Sequence, residues 1–286
     1  MNIIEQKLRD YRPSTPAEQE VALVEIVQQL ILFGLARTAF FAGAAFHGGT
    51  CLRILFGMRR FSEDLDFVLK APADRFSWET YFPAILTECR AFGVELEIKD
   101  RKKTTGAVKS AFLKTDSIGK VLLAAIPFSR HSMRKIAIKL EIDTNPPPGS
   151  GFEARFLGFP GPAAVAVQDL SSGFSGKLHA LLCRAYVKGR DWYDLLWYAE
   201  RGVAPNLKLL GNAIQQTGPW KGRRVNINSA WIVEELQRKI SGIDWGATQR
   251  DVARFVPAAE QAGLKLWSKA MFLDAVVRLR RSWEIR

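Results

Sequence analysis

Histidine and cysteine are scarce in this chain of 286 residues, with three of each. His47, His131 and His179 are scattered, which excludes a histidine-rich metal site. Cys51, Cys89 and Cys183 are odd in number, widely spaced and form no CxxC pair. That excludes a disulfide framework and a thiolate zinc site, and fits reduced thiols in a cytoplasmic protein. Acidic residues are also short, 29 against 41 Lys and Arg, for a formal charge of +12. A long apolar run is missing too. The most apolar stretch, Val21 to Phe33, carries Glu25, Gln28 and Gln29 and is too short and polar to span a bilayer. Met1 to Pro13 is charged and polar, unlike a secretory signal. No membrane association is expected.

What is present is ordinary for a globular protein: 48% apolar and 24% charged residues. The length suffices for one large domain or two moderate ones with their own cores. The positive balance favours polyanionic partners such as RNA, DNA or nucleoside triphosphates, with plain solubility as the alternative.

Thr15-Pro16-Ala17-Glu18 has the signature of a helix start: an N-cap, a proline in the first turn and a glutamate three residues after the cap. The apolar face that follows predicts a helix to about Ala36. Thr38 to Phe46 reads as a buried strand, Thr50 to Phe56 as a short helix and Phe61 to Leu69 as a strand. Pro72 to Phe92 reads as helical, then Val94 to Lys99, Ala107 to Lys114 and Met133 to Asp143 as strands. The strongest loop signal is Asn145-Pro146-Pro147-Pro148-Gly149-Ser150-Gly151, with more Pro and Gly up to Pro162. Beyond it strand signals fade. Asp169 to Val187, Asp191 to Arg201, Leu207 to Gln216, Ser229 to Ile240 and Ala258 to Arg281 all read as helices. The expected class is α+β, with a mixed β-sheet and flanking helices in the N-terminal half and a helical C-terminal half. The expected domains are 1–160 and 161–286.

Chemistry concentrates in one segment. On a strand, Asp64 and Asp66 share a face, while Leu65, Phe67 and Leu69 point to the other. Neighbouring carboxylates repel unless a cation or proton lies between them, and their hard oxygens suit Mg²⁺ or Mn²⁺. For a bare Asp-x-Asp, a solvent-facing strand edge is the plain alternative. Upstream, Gly48-Gly49-Thr50 lies between an apolar run and a short helix. Glycine lets backbone approach a ligand closely, and a helix N-terminus offers free N–H groups to phosphate. Such a turn about fourteen residues before an Asp-x-Asp strand, joined to it by one helix, is far rarer than either part.

His47-Gly48-Gly49-Thr50-Cys51-Leu52-Arg53 followed by Arg60-Phe61-Ser62-Glu63-Asp64-Leu65-Asp66-Phe67 resembles the first motif of the AbiEii/AbiGii toxin family. These are nucleotidyltransferases with a DNA polymerase β-like fold. Three later segments fit the same pattern, and the resemblance spans roughly Phe41 to Tyr198. It implies a third carboxylate on a neighbouring strand; Glu141 matches best, ahead of Asp143. It implies a nucleotide-contacting lysine, Lys177, with Arg184 near it on the same helix side. Its closing basic-Asp-x-x-Asp motif falls on Lys188 to Leu195, making Asp191 and Asp194 candidate site residues that position Lys177 or the acceptor. A solvated amphipathic helix and an N-cap acid are the plain alternatives for these last segments.

On this resemblance the metal ligands are Asp64, Asp66 and Glu141. Gly48, Gly49, Thr50, Arg60, Ser62 and Arg184 contact nucleotide or phosphate, and the helical domain contributes its lysine and aspartates to the cleft. The implied reaction moves a nucleoside monophosphate from an NTP to a hydroxyl, with Mg²⁺ or Mn²⁺ as cofactor. Family members are toxins of type IV toxin–antitoxin systems. That makes the 3′ end of tRNA the first-ranked acceptor, its modification blocking translation, and implies a cognate antitoxin. A protein or small-molecule acceptor, and a nucleotide- or RNA-binding protein without turnover, are the other readings. The basic clusters Arg101 to Lys103, Lys221 to Arg224 and Arg278 to Arg281 are candidate RNA tracks, and Trp220 a candidate stacking residue.

Overall fold

A computed structural model describes residues 3–99, 107–115 and 136–284. His131, the Arg101 to Lys103 cluster and the start of the strand expected from Met133 lie outside the described residues. The chain divides into two compact units. One comprises Met1–Gly57, Phe61–Pro146 and Glu153–Val167; the other comprises Met58–Arg60, Pro147–Phe152 and Gln168–Arg286.

The first unit carries the sheet. Helices α1 (Ile3–Tyr11), α2 (Pro16–Ala36) and α3 (Phe40–Gly43) lead into β1 (Ala44–His47), α4 (Gly48–Phe56) and β2 (Leu65–Leu69). Helix α5 (Phe82–Ala91) follows, then β3 (Glu97–Lys99), β4 (Val108–Thr115), β5 (Ile136–Asp143), β6 (Phe152–Leu157) and β7 (Ala163–Gln168). The strand order is β3-β4-β5-β2-β1-β7-β6. β2 runs antiparallel to β1 and parallel to β5, so the sheet is mixed.

Helix α2 forms as its signals dictate: the Thr15 hydroxyl accepts from the Glu18 N–H at 3.2 Å, and Pro16 opens the first turn. It is long and apolar enough to cross a membrane by composition, but 72% of its most apolar window is buried inside this fold. It is the central core helix. Its polar residues are used internally: Glu25 accepts from the Tyr11 hydroxyl at 2.7 Å and from Arg53 Nε at 2.8 Å. Phe40, Phe67, Trp78 and Tyr81 form an aromatic knot in the core, with Phe40 stacked on Trp78 at 5.6 Å between centroids.

Several local expectations are corrected. Thr38 to Phe46 is not one strand: Phe40–Gly43 turns helically before β1 begins at Ala44. The helix expected from Pro72 is limited to α5, preceded by a 3₁₀ turn at Trp78–Thr80. Strands β6 and β7 lie where strand signal was absent from the reading. β7 is alanine-rich, with only Val165 and Val167 alternating into the core, and β6 is an edge strand exposing Phe156, so both carry a weak hydrophobic pattern.

The second unit is helical apart from short segments: α6 (Leu170–Cys183), α7 (Gly189–Glu200), α8 (Leu207–Gln216), α9 (Ser229–Ser241), α10 (Trp245–Ala253), α11 (Gln261–Leu264) and α12 (Lys269–Glu284). Asp169 caps α6, its Oδ1 accepting from the Ser172 N–H at 2.7 Å. Asn206, Asn228 and Asp244 cap α8, α9 and α10 in the same way. The long helix expected from Ala258 is interrupted after Leu264, and α10 was unforeseen. The tryptophans are structural: Trp192 meets Trp245 and Phe272 edge-on, and Trp245 stacks on Phe272 at 4.0 Å. Trp220 meets Trp231 at 5.3 Å.

Candidate active site

In the sheet unit the acidic residues are set by register. β1 pairs His47 with Asp66, and β2 pairs Asp66 with Glu141. Partners in register on adjacent strands carry side chains on one face, so Asp66 and Glu141 are neighbours. Asp143 is registered with Val68, two pairs further along, and its Oδ1 accepts from the Asn145 N–H at 2.9 Å. Asp64 precedes the strand by one residue and is half-buried. Burial raises its pKa. The Asp66 carboxylate adds to the rise, Lys139 opposes it, and Glu141 and Glu63 add further. Four acids thus share one electrostatic neighbourhood.

The turn before α4 explains its glycines. Gly48 adopts φ +76°, and a Cβ there would lie 2.6 Å from Asp66 Oδ2. Only glycine brings the helix start this close to the carboxylate. His47 provides no side-chain cap to α4, and Gly49 is buried behind the turn. Thr50 is fully buried, and its hydroxyl donates a short hydrogen bond to the Asp64 carbonyl.

Gln28, which sequence reasoning noted only as a polar break in an apolar helix, belongs to this assembly. It is fully buried, and its Nε2 donates to the carbonyls of Ser62 at 3.1 Å and Glu63 at 2.8 Å. Ser110 Oγ donates to Glu141 Oε1 at 3.0 Å, and Lys139 Nζ lies 2.6 Å from the same oxygen. The signal available in the sequence was burial itself: an amide on the inner side of a core helix needs partners.

Among the described residues no group of three His, Cys, Asp or Glu is gathered in metal-binding geometry. The donor set fits a smaller demand. A magnesium-like ion takes one or two carboxylates and fills its remaining positions with substrate phosphate and water. Asp64 and Asp66 offer hard oxygens whose mutual repulsion a divalent cation would relieve, beside a glycine turn packed closely on the Asp66 carboxylate.

The other predicted residues form one ion-paired cluster within the helical unit. Arg60 is buried and grips Asp194 through Nε at 2.6 Å and a terminal nitrogen at 2.7 Å. Lys177 Nζ lies 2.7 Å from Asp191 Oδ1 and 2.7 Å from Asp194 Oδ2. Arg184 makes a short contact to Asp191 Oδ2. Burial alone would raise the Asp194 pKa, but Arg60 and then Lys177 outweigh it and hold the carboxyl below the usual aspartate range. Burial would lower Lys177, but Asp194 and Asp191 raise it, so its ammonium is held charged.

A mixed sheet presenting paired carboxylates against a glycine turn, followed by helices, is the arrangement of a nucleotidyltransferase. The chain belongs to the AbiEii nucleotidyl transferase toxin family of type IV toxin–antitoxin systems, whose model matches residues 30–275. No curated protein shows significant sequence similarity to it. Among solved structures, MenT4, a nucleotidyltransferase toxin of Mycobacterium tuberculosis H37Rv, superposes with a TM-score of 0.51 at 18% identity, covering 96% of this chain and 99% of its own. JHP933 from Helicobacter pylori gives a TM-score of 0.48 at 17% identity over 93% of this chain and 90% of its own. The first of these likenesses concerns the fold.

Proposed function

We propose that the chain transfers a nucleoside monophosphate from an NTP to an acceptor hydroxyl, and that the acceptor is the 3′ end of tRNA. The observation carrying this reading is the contact between the Gly48 turn and the Asp66 carboxylate, with Asp64 and Glu141 in the same electrostatic neighbourhood. A polyanion gains nothing from meeting a cluster of carboxylates, so an RNA binder without turnover would have no use for them. Membership of a toxin–antitoxin family implies a cognate antitoxin. Action on tRNA would take place in the cytoplasm.

In the proposed reaction the acceptor oxygen forms a bond to the α-phosphorus and the α–β phosphoanhydride bond breaks. The hydroxyl proton passes to a carboxylate or water at the site, and pyrophosphate leaves. Asp64 and Asp66 would hold a divalent ion, which when bound supplies charge neutralisation for the phosphates and lowers the pKa of the attacking hydroxyl. Glu141 is the proposed third carboxylate, favoured over Asp143 by its register with Asp66. The N–H groups of Gly48 and Gly49 at the start of α4 would receive phosphate oxygens. Thr50 acts through its bond to Asp64's carbonyl, as a positioning residue. Lys177, kept charged by Asp191 and Asp194, would serve as counter-charge to the triphosphate. The buried pair with Arg60 makes Asp194 a support for that lysine.

The test is incubation with each labelled NTP, Mg²⁺ or Mn²⁺ and bulk tRNA, alongside Asp64→Ala and Asp66→Ala. Label should appear on tRNA with the wild type and vanish in both variants. Equal labelling by the variants, or no labelling of any acceptor despite NTP binding, would sink the reading.

A further inference from the structure

Where α6 ends and α7 begins, the helical unit carries a cation-rich pocket. A cavity of about 250 Å³ is lined by Arg184, Tyr186, Lys188, Arg238 and Lys239, with Asp191 as its one acidic lining residue. The charges do not balance locally. Asp191 is already shared by Lys177 and Arg184. Arg238 is held by Glu234 and Glu235. Among the described residues, Lys239 Nζ donates to a neutral group, the Arg184 carbonyl, at 3.2 Å. Lys188 is half-buried. Burial lowers its pKa, as do Arg190, Arg184 and Lys177 around it, and only Asp191 opposes them. Among the described residues, no carboxylate forms a salt bridge with Lys188 or Lys239.

A partly desolvated ammonium crowded by cations favours an anion in its vicinity. What that anion belongs to is suggested by Tyr186. The residue is 65% exposed, and the Arg184 guanidinium lies 5.2 Å from its ring centroid. An exposed, cation-backed ring beside unneutralised lysines offers a base a stacking surface one step from a backbone phosphate. A free phosphate ion or a phosphorylated protein would make no use of that ring.

We infer that this pocket receives a backbone phosphate of the RNA acceptor, held by Lys188 and Lys239, with an adjoining base stacked on Tyr186. The inference rests on the reading that the acceptor is RNA. It adds a docking site remote in sequence from the Gly48 to Asp66 motif, in which Lys188, Lys239 and Tyr186 are the residues that would hold the RNA.

The test measures binding without catalysis: the full chain, no NTP and no divalent metal, fluorescently labelled bulk tRNA, and a series of salt concentrations. The double variant K188Q/K239Q should bind roughly tenfold more weakly near 0.1 M salt, with the slope of log K against log salt reduced by about 0.7 for one lost single-strand phosphate contact. Tyr186→Ala should weaken binding roughly fivefold or more while leaving that slope unchanged. Lys265→Gln removes one charge from an exposed turn and should change little. As a second measurement, amine acylation followed by mass spectrometry should find Lys188 modified in the free protein and protected by tRNA. Unchanged affinity and slope in the double variant, or an equal loss in Lys265→Gln, overturns the pocket while the RNA-acceptor reading stands. Protection of Lys188 by inorganic phosphate but not by tRNA overturns the RNA assignment. Failure of the wild type to bind tRNA overturns the acceptor reading first, and this inference with it.

Discussion

A Cβ built on Gly48 would lie 2.6 Å from Oδ2 of Asp66 and 3.1 Å from its Cβ. The strand carrying the acid and the turn opening α4 are therefore fitted to each other at the resolution of one hydrogen atom. β1 and β2 are antiparallel with His47 opposite Asp66, so the next residue after His47 must pass over that carboxylate.

Gly48→Ala should abolish most transfer, and Gly57→Ala shows why. Both glycines sit in the left-handed region, at φ +76° and +74°, but nothing lies within 4 Å of a Cβ at position 57. Alanine at either site bears the same backbone cost of roughly 1–2 kcal/mol. Both variants should lose similar thermal stability, read by melting temperature. Only Gly48→Ala should also displace Asp66, lowering kcat by about 10²-fold. Equal activity in the two variants would show that the close approach is not used.

Much of this sheet unit was legible in the sequence because local and tertiary signals agree there. The Thr15-Pro16-Glu18 start, the glycine turn and the alternating Leu65, Phe67 and Leu69 each specify one conformation. β7 was hard to read because its alternation is short, only Val165 and Val167 among alanines, and follows a run of Pro and Gly; its pairing with β1 at Phe46 and Val167 completes the strand. The role of Gln28 was hidden for a different reason. Its partners are backbone carbonyls more than thirty residues away, and any residue type has those. The choice between Glu141 and Asp143 needed a register, which periodicity cannot provide because both lie on one strand face.

Asp64→Asn should make the metal-free protein more stable at neutral pH while removing activity. The folded Asp64 has a pKa above its usual value, so over that window the folded protein keeps a proton the unfolded chain has released. Stability therefore falls as pH rises through the window, and the deficit is complete above the folded pKa. Melting curves at pH 7 should place Asp64→Asn above the wild type, with the difference shrinking as pH drops towards the usual aspartate value. Divalent metal should reverse the order. A hundredfold excess over Kd stabilises by about 2.7 kcal/mol where the site is intact. A wild-type melting temperature indifferent to Mg²⁺ and Mn²⁺ would argue against Asp64 as a ligand.

Gln28→Leu and Thr50→Val should lower kcat without contacting substrate. Each removes a donor to the Ser62–Asp64 backbone and leaves carbonyls unsatisfied, at a cost of about 1–3 kcal/mol. NTP affinity, measured with the metal present, should change less than kcat, because the glycines proposed to meet phosphate are untouched. If KM rises and kcat holds, these residues support binding and not the placement of Asp64.

The Arg60–Asp194 pair decides how loss-of-function variants in the helical unit are to be read. Its side chains are 3% and 0% exposed, and Asp194 also holds Lys177. Asp194→Ala takes the carboxylate from the buried Arg60, leaves Lys177 with Asp191, and should destabilise by about 3–5 kcal/mol. The double variant R60M/D194L replaces the pair by apolar groups and should recover most of that loss. Acid should distinguish them as well. Although burial alone would raise it, the Asp194 pKa is depressed by Arg60 and Lys177, so its contribution is present above the usual aspartate pKa and lost as pH falls through the folded value. The double variant should lack that acid sensitivity. Urea unfolding followed by fluorescence of Trp192 and Trp197, on the same helix as Asp194, measures both effects. Should Asp194→Ala lose transfer while its urea midpoint stays at the wild-type value, Asp194 acts on the substrate directly and its support of Lys177 is secondary.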